Sequence, residues 1–138
     1  GPCGVTPLHL AALHATSGEG IRTLLALGAS ATALDAFGAT PLHYAARANS
    51  VVTADALLSD SRDVKGLVSI ANRRGRTPLH VAAASGNHEV VQLLLRHGAS
   101  MDARDNHRRC PLHLAASEGH FLCTCILLGS GASASPRD

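Results

Sequence analysis

Apolar positions in this chain fall into two kinds of short run, and the two kinds alternate. One kind comes just after a proline: Leu8, Leu10, Ala11 and Ala12 follow Thr6-Pro7, and Leu42, Tyr44, Ala45 and Ala46 follow Thr40-Pro41. Leu79, Val81, Ala82 and Ala83 follow Thr77-Pro78, and Leu112, Leu114, Ala115 and Ala116 follow Cys110-Pro111. The other kind is denser in Leu, Ile, Val and Ala and covers Ile21 to Leu27, Val51 to Leu58, His88 to Arg96 and His120 to Leu128. Apolar residues at helical spacing in runs of this length predict pairs of short helices. Each threonine can bond one of the first unpaired backbone N–H groups of a helix. The proline after it sits at the first helical position, where a missing N–H costs nothing and the fixed φ suits the helix. Gly28, Gly98 and Gly131 are placed to end the second helix of three pairs in a left-handed cap. Gly4, Gly38 and Gly75, each two residues before a capping threonine, predict a hairpin turn ahead of each first helix.

The stretch Thr-Pro-Leu-His-x-Ala-Ala is thus written at residues 6, 40 and 77 and, with Cys for Thr, at 110, so its copies start 34, 37 and 33 residues apart. Self-similarity at this period denotes stacked units, none of which can bury its apolar face without a neighbour. On this motif and its spacing the chain resembles the ankyrin-repeat family over essentially its whole length. The resemblance implies an all-α solenoid of four helix-turn-helix units joined by β-hairpin-like turns, at about residues 1–34, 35–71, 72–104 and 105–137. It also implies that His9, His43, His80 and His113 hydrogen-bond backbone groups of the adjoining turn and tie the units together. Equivalent residues of stacked units lie on the order of 10 Å apart, whereas Zn–N bonds are near 2 Å, so no two of these imidazoles share an ion.

The copies are not equal. The first carries one extra residue between Leu13 and Gly20, and its Ser17-Gly18-Glu19-Gly20 weakens the start of its second helix. The second replaces the expected Gly-Ala ending with the run from Ser59 to Gly66, read as an extended polar loop. The third keeps every expected residue. The fourth has Arg108 in the place of the turn glycine and Cys110 in the place of the threonine, the latter at a cost of about 1 kcal/mol. Gly1-Pro2 reads as a tag remnant. Asp138 falls 33 residues after Asp105, where a fifth copy would open, which reads as an array that continues.

Composition narrows the function. Hydrophobic residues make up 46% of the chain but aromatics only 2%, which suits thin helices packed through Ala and Leu rather than one large core. No apolar run reaches the roughly 20 residues of a bilayer span, and no leader opens the sequence, so an intracellular protein, cytoplasmic or nuclear, is expected. Cys3, Cys110, Cys123 and Cys125 match no zinc spacing and are expected as reduced thiols. His88-Glu89 lacks the second histidine of a zinc-protease helix, since Gln92 occupies that position. No nucleophile–base pair, phosphate-cradling loop or carboxylate pair stands at a usable spacing, so neither catalysis nor a cofactor is expected.

Charge is more informative. Between Asn72 and Arg109 seven arginines face three carboxylates for a net +4, while the segments on either side are each −1. Arg73, Arg74 and Arg76 share one turn and His107, Arg108 and Arg109 the next, so stacking predicts a basic ridge. By resemblance to the family, binding uses the turn tips and the exposed side of the first helices, here Phe37, Arg47, Arg73, Arg74, Arg76, His107, Arg109 and Glu118. The expected partner is a protein offering an acidic or extended segment, with Phe37 as an apolar anchor. Phosphate or nucleic-acid binding by the same arginines is the first rival, weakened by the scarcity of aromatics for base stacking. An inert spacer in a longer array is the second.

Overall fold

The computed structural model describes residues 7–14, 18–28, 30–59 and 64–131. Nine helices occupy them: α1 (Pro7–His14), α2 (Gly18–Ala26), α3 (Pro41–Ala48), α4 (Val51–Ser59), α5 (Val64–Ser69), α6 (Pro78–Ser85), α7 (His88–Arg96), α8 (Pro111–Ser117) and α9 (Phe121–Gly131). The helices α1, α3, α6 and α8 pack in one row, and α2, α4, α7 and α9 pack in a second row behind it. Each inner helix also packs on its own outer partner, so the described chain is a two-layered, all-α stack with no strand. Between the rows lie the leucines Leu8, Leu42, Leu57, Leu79 and Leu94, all with no exposed surface. Full burial of one such side chain contributes about 1.5–3 kcal/mol. Ala12, Ala45, Ala46, Ala82, Ala83 and Ala115 are buried as well, and their small side chains let the inner helices approach closely.

The predicted caps are present where the structure describes them. The Thr40 and Thr77 hydroxyls accept from the backbone N–H of His43 and His80, at 3.3 and 3.4 Å. The inner helices α3 and α6 end in left-handed residues, Asn49 (φ 56°) and Gly86 (φ 79°). Gly86 is required twice over, because a Cβ there would meet the His120 ring at 2.6 Å. The Thr6 cap, the Gly4 turn, Cys3, the loop residues 15–17, residues 60–63 and the segment 132–138 lie outside the described residues.

Two expectations need correction. The polar run after α4 is not simply an extended loop, since its second half folds into α5, whose Leu67 and Val68 are 1% exposed. Val64, Leu67 and Val68 stand at i, i+3 and i+4, one apolar helix face, and the helix packs against α4 and α6. The second helix of the first unit, expected from Ile21, begins at Gly18, with Gly18 and Gly20 in its first turn and the fully buried Ile21 anchoring that end. Gly131 is the last residue of α9, and Gly28 and Gly98 have the positive φ of a left-handed cap.

Candidate functional site

Three turn tips are built to one plan. Each opens with an Asx residue whose Oδ1 accepts two backbone N–H groups. Asp35 accepts from Phe37 and Ala39, Asn72 from Arg74 and Arg76, and Asp105 from His107 and Arg109, all at 2.9–3.1 Å. A hairpin bond closes each tip, from the N–H of Asp35, Asn72 and Asp105 to the carbonyl four residues on. Side-chain acceptors of this kind fix a turn locally. Successive tips are then joined by their backbones: Arg73 N–H donates to Phe37 O and Asn106 N–H to Arg74 O, both at 2.9 Å. Asn106 Nδ2 adds a bond to Arg73 O at 2.7 Å.

The motif histidines complete the connection. His43 Nδ1 accepts the Thr40 N–H, so the ring proton sits on Nε2 and donates to Arg76 O at 2.9 Å. His80 does the same with Thr77 N–H and Arg109 O, and His9 Nε2 bonds Ala39 O at 2.8 Å. Burial, opposed in part by the bond to Arg76 O, pushes His43 down to about 4. His80 is also lowered, again chiefly by burial. These imidazoles are neutral struts. His113 is exposed and makes only the local half of the arrangement, its Nδ1 taking the Cys110 N–H at 3.2 Å with Cys110 Sγ 3.3 Å away. A second set of bonds ties the far ends of the inner helices: Asn87 Nδ2 donates to Ala46 O and Arg47 O, and His120 Nε2 to Ala84 O.

The structure sorts the expected site residues into three groups. Phe37, 72% exposed, and the exposed Arg73, Arg74 and His107 stand on adjoining tips. Arg76 and Arg109 are turned toward Asp105, whose side chain is fully buried. Their Nε atoms lie 3.5 and 3.3 Å from its Oδ2; the Arg76 pair bridges the third and fourth tips, and the Arg109 pair lies within the fourth. Burial alone would raise the Asp105 carboxyl, but the Arg109 and His107 amides and the Arg109 charge outweigh it and hold it below the ordinary carboxylate value. Arg47 and Glu118, also exposed, lie at the far ends of the eight-residue α3 and the seven-residue α8, about 10–12 Å along the helix from the tips. The basic ridge therefore exists, but its outward charge comes from Arg73, Arg74 and Arg108, with two of the expected arginines engaged internally.

Arg108 belongs to the tip surface although the expected set omits it. It is exposed and has φ 64°, in the left-handed region that Gly38 (75°) and Gly75 (78°) occupy at the equivalent positions. Its register with those glycines was the available signal. Among the described residues no three His, Cys, Asp or Glu side chains come together as a metal group, and no helix is long and apolar enough to cross a membrane. Cys110, Cys123 and Cys125 are free thiols.

A family model described as ankyrin repeats (3 copies) matches residues 1–66 and 62–138. The B-cell lymphoma 3 protein homolog of Mus musculus is 41% identical over 100 residues, which is 72% of this chain and 22% of that protein. Human transient receptor potential cation channel subfamily A member 1 is 38% identical over 96 residues, 70% of this chain and 8% of the channel. Tyrosine-protein kinase Shark of Drosophila melanogaster is 44% identical over 92 residues, 67% of this chain and 9% of the kinase. The chain thus spans less than a quarter of each of these relatives. A channel and a kinase share the stretch, so what the similarity carries is the repeat architecture and not one activity.

Proposed function

The chain belongs to the ankyrin-repeat family, whose repeats are generally protein-interaction modules, and from that premise we propose that it is a non-catalytic adaptor surface for an acidic segment of a partner protein. The single observation that carries the reading is the outward cluster of Arg73, Arg74 and Arg108 on two tips locked together by backbone bonds, with exposed Phe37 on the tip beside them. Guanidinium groups fork onto carboxylates with two parallel hydrogen bonds, which a diffuse positive charge does not do. An exposed aromatic held on a fixed turn offers an apolar partner residue a place to be buried. Arg47 and Glu118, exposed at the far ends of α3 and α8, are the positions at which a longer partner would be met beyond the tips.

The test is fluorescence anisotropy with a labelled peptide of mixed Asp, Glu and Leu against a neutral peptide of equal length, using Arg73→Glu/Arg74→Glu/Arg108→Glu as the comparison protein. Arg76 and Arg109 are left intact, because a carboxylate beside buried Asp105 would disturb the fold rather than the surface. The acidic peptide binds the parent and not the reversed protein if the reading holds. A bare polynucleotide that binds more tightly than the peptide, with a steep salt slope, would overturn it in favour of phosphate recognition. Equal, weak behaviour of all probes on both proteins would leave a spacer.

A further inference from the structure

The tips place one position in a row. Phe37, Arg74 and His107 each stand two residues after the Asx that opens its turn, and all three are exposed. The row is held at close pitch: the carbonyls of Phe37 and Arg74 are each bonded by the next tip. A Cβ on Gly75 would meet Asn106 Oδ1 at 2.5 Å and its backbone N at 2.8 Å, so little separates the third and fourth tips. Stacked helices set the step from unit to unit at about 10 Å. An extended chain advances about 3.3 Å per residue, so one step of the row corresponds to about three residues of a bound strand.

Chemistry changes in one direction along this row. The second tip offers an aromatic ring with no charged side chain exposed beside it but the bonded Asp35. The third offers Arg74 flanked by Arg73, and the fourth offers His107 flanked by Arg108. Arg76 and Arg109 both turn their Nε groups to the one carboxylate of Asp105, so the three together leave a single positive charge, set back from the exposed row. We propose that the row reads the spacing of an extended acidic peptide segment of a partner protein: an apolar residue over Phe37, a carboxylate about three residues away over Arg74, and a second about six residues away over His107 and Arg108. The inference rests on the acidic-segment reading and goes beyond it, because net negative charge alone does not satisfy it. Asx-anchored turns joined by backbone bonds give the row fixed spacing before a partner arrives, which lowers the ordering cost of binding.

Labelled twelve-residue peptides on a Ser/Gly background test it. One Leu and two Asp residues are placed in the Leu-x-x-Asp-x-x-Asp order, in the reverse order, and at closer and wider spacings of the same composition. The tighter of the two directions is taken, because an extended segment can lie either way. The matched spacing should bind the 138-residue chain about five-fold more tightly than its scrambles, a difference on the order of 1 kcal/mol. Phe37→Ala should erase the preference for Leu while keeping that for Asp. Arg74→Ala should erase the preference for the nearer Asp while keeping that for Leu. Both substitutions are at exposed positions, and circular dichroism confirms that the helices persist. If every spacing binds equally, the acidic-segment reading survives and the spacing rule is overturned. If no acidic peptide exceeds the neutral control, both are overturned.

Discussion

The third and fourth tips make the same turn from different residues. In the third, Gly75 takes the left-handed position at φ 78°, Thr77 caps the helix, and His80 is buried and bonded to the next tip. The fourth has Arg108 at φ 64°, Cys110 at the cap and an exposed His113. The shape survives because the Asx carboxyl or amide and the hairpin bond set it in both, with Asp105 Oδ1 repeating what Asn72 Oδ1 does. A left-handed non-glycine residue costs about 1–2 kcal/mol. The third tip has no room for such a residue, since Asn106 fills the space a Cβ would need, whereas Arg108 sends its side chain to solvent. The fourth tip therefore carries local strain at the same residue that adds an outward cation to the ridge. Backbone strain of this kind clusters at ligand-binding positions, which accords with the role proposed for Arg108.

The comparison breaks first at Gly75. Gly75→Ala should destabilise the chain by about 2–3 kcal/mol, combining positive φ with a collision against the Asn106 backbone. Urea unfolding measures it, and a loss below about 0.5 kcal/mol would mean that the third and fourth tips tolerate side chains alike. Acid separates the buried struts from the exposed end. His43 is neutral in the folded chain down to about 4, while its unfolded counterpart protonates near 6.5, so its contribution is complete above 6.5 and is lost as pH falls toward 4. At pH 5 that loss is about 2 kcal/mol for His43 alone, and lowered His80 adds to it in the same direction. His43→Gln should flatten the pH dependence of the urea midpoint. Asp105, held low, contributes stability that is lost only in more acidic solution, as pH falls below the ordinary carboxylate value. The smallest effect is at the cap: Cys110→Thr should stabilise by about 0.5–1 kcal/mol, restoring a hydroxyl to the His113 N–H. A lower midpoint in this variant would show that the thiol is packed where a hydroxyl is unwelcome.

Much of the fold was legible because its determinants are local. Thr40 and Pro41 are adjacent, and the cap and the helix start follow from them, while the His43 bond to the next unit was implied by the family resemblance. The α5 helix was hidden by the polar residues around it. Its apolar spacing at Val64, Leu67 and Val68 was visible, but burial depends on α4 and α6, far away in sequence or across a turn. At the site, exposed Phe37 and the adjacent arginine tips were readable from register, since equivalent residues of a repeat stack side by side. What a charge count could not separate was an arginine facing water from one spent on a buried carboxylate. Arg76 and Arg109 look like Arg73 and Arg74 in sequence, and only the position of Asp105 between two tips distinguishes them.

We propose that the fourth tip keeps a strained arginine because that arginine contacts the partner. Measuring unfolding midpoint and acidic-peptide affinity on one preparation of Arg108→Gly tests this most directly. The fold should gain about 1 kcal/mol as the strain is relieved, while the peptide with two spaced carboxylates should bind several-fold more weakly and with a shallower salt dependence. A more stable protein that binds the same peptide with unchanged affinity and unchanged salt dependence would contradict it.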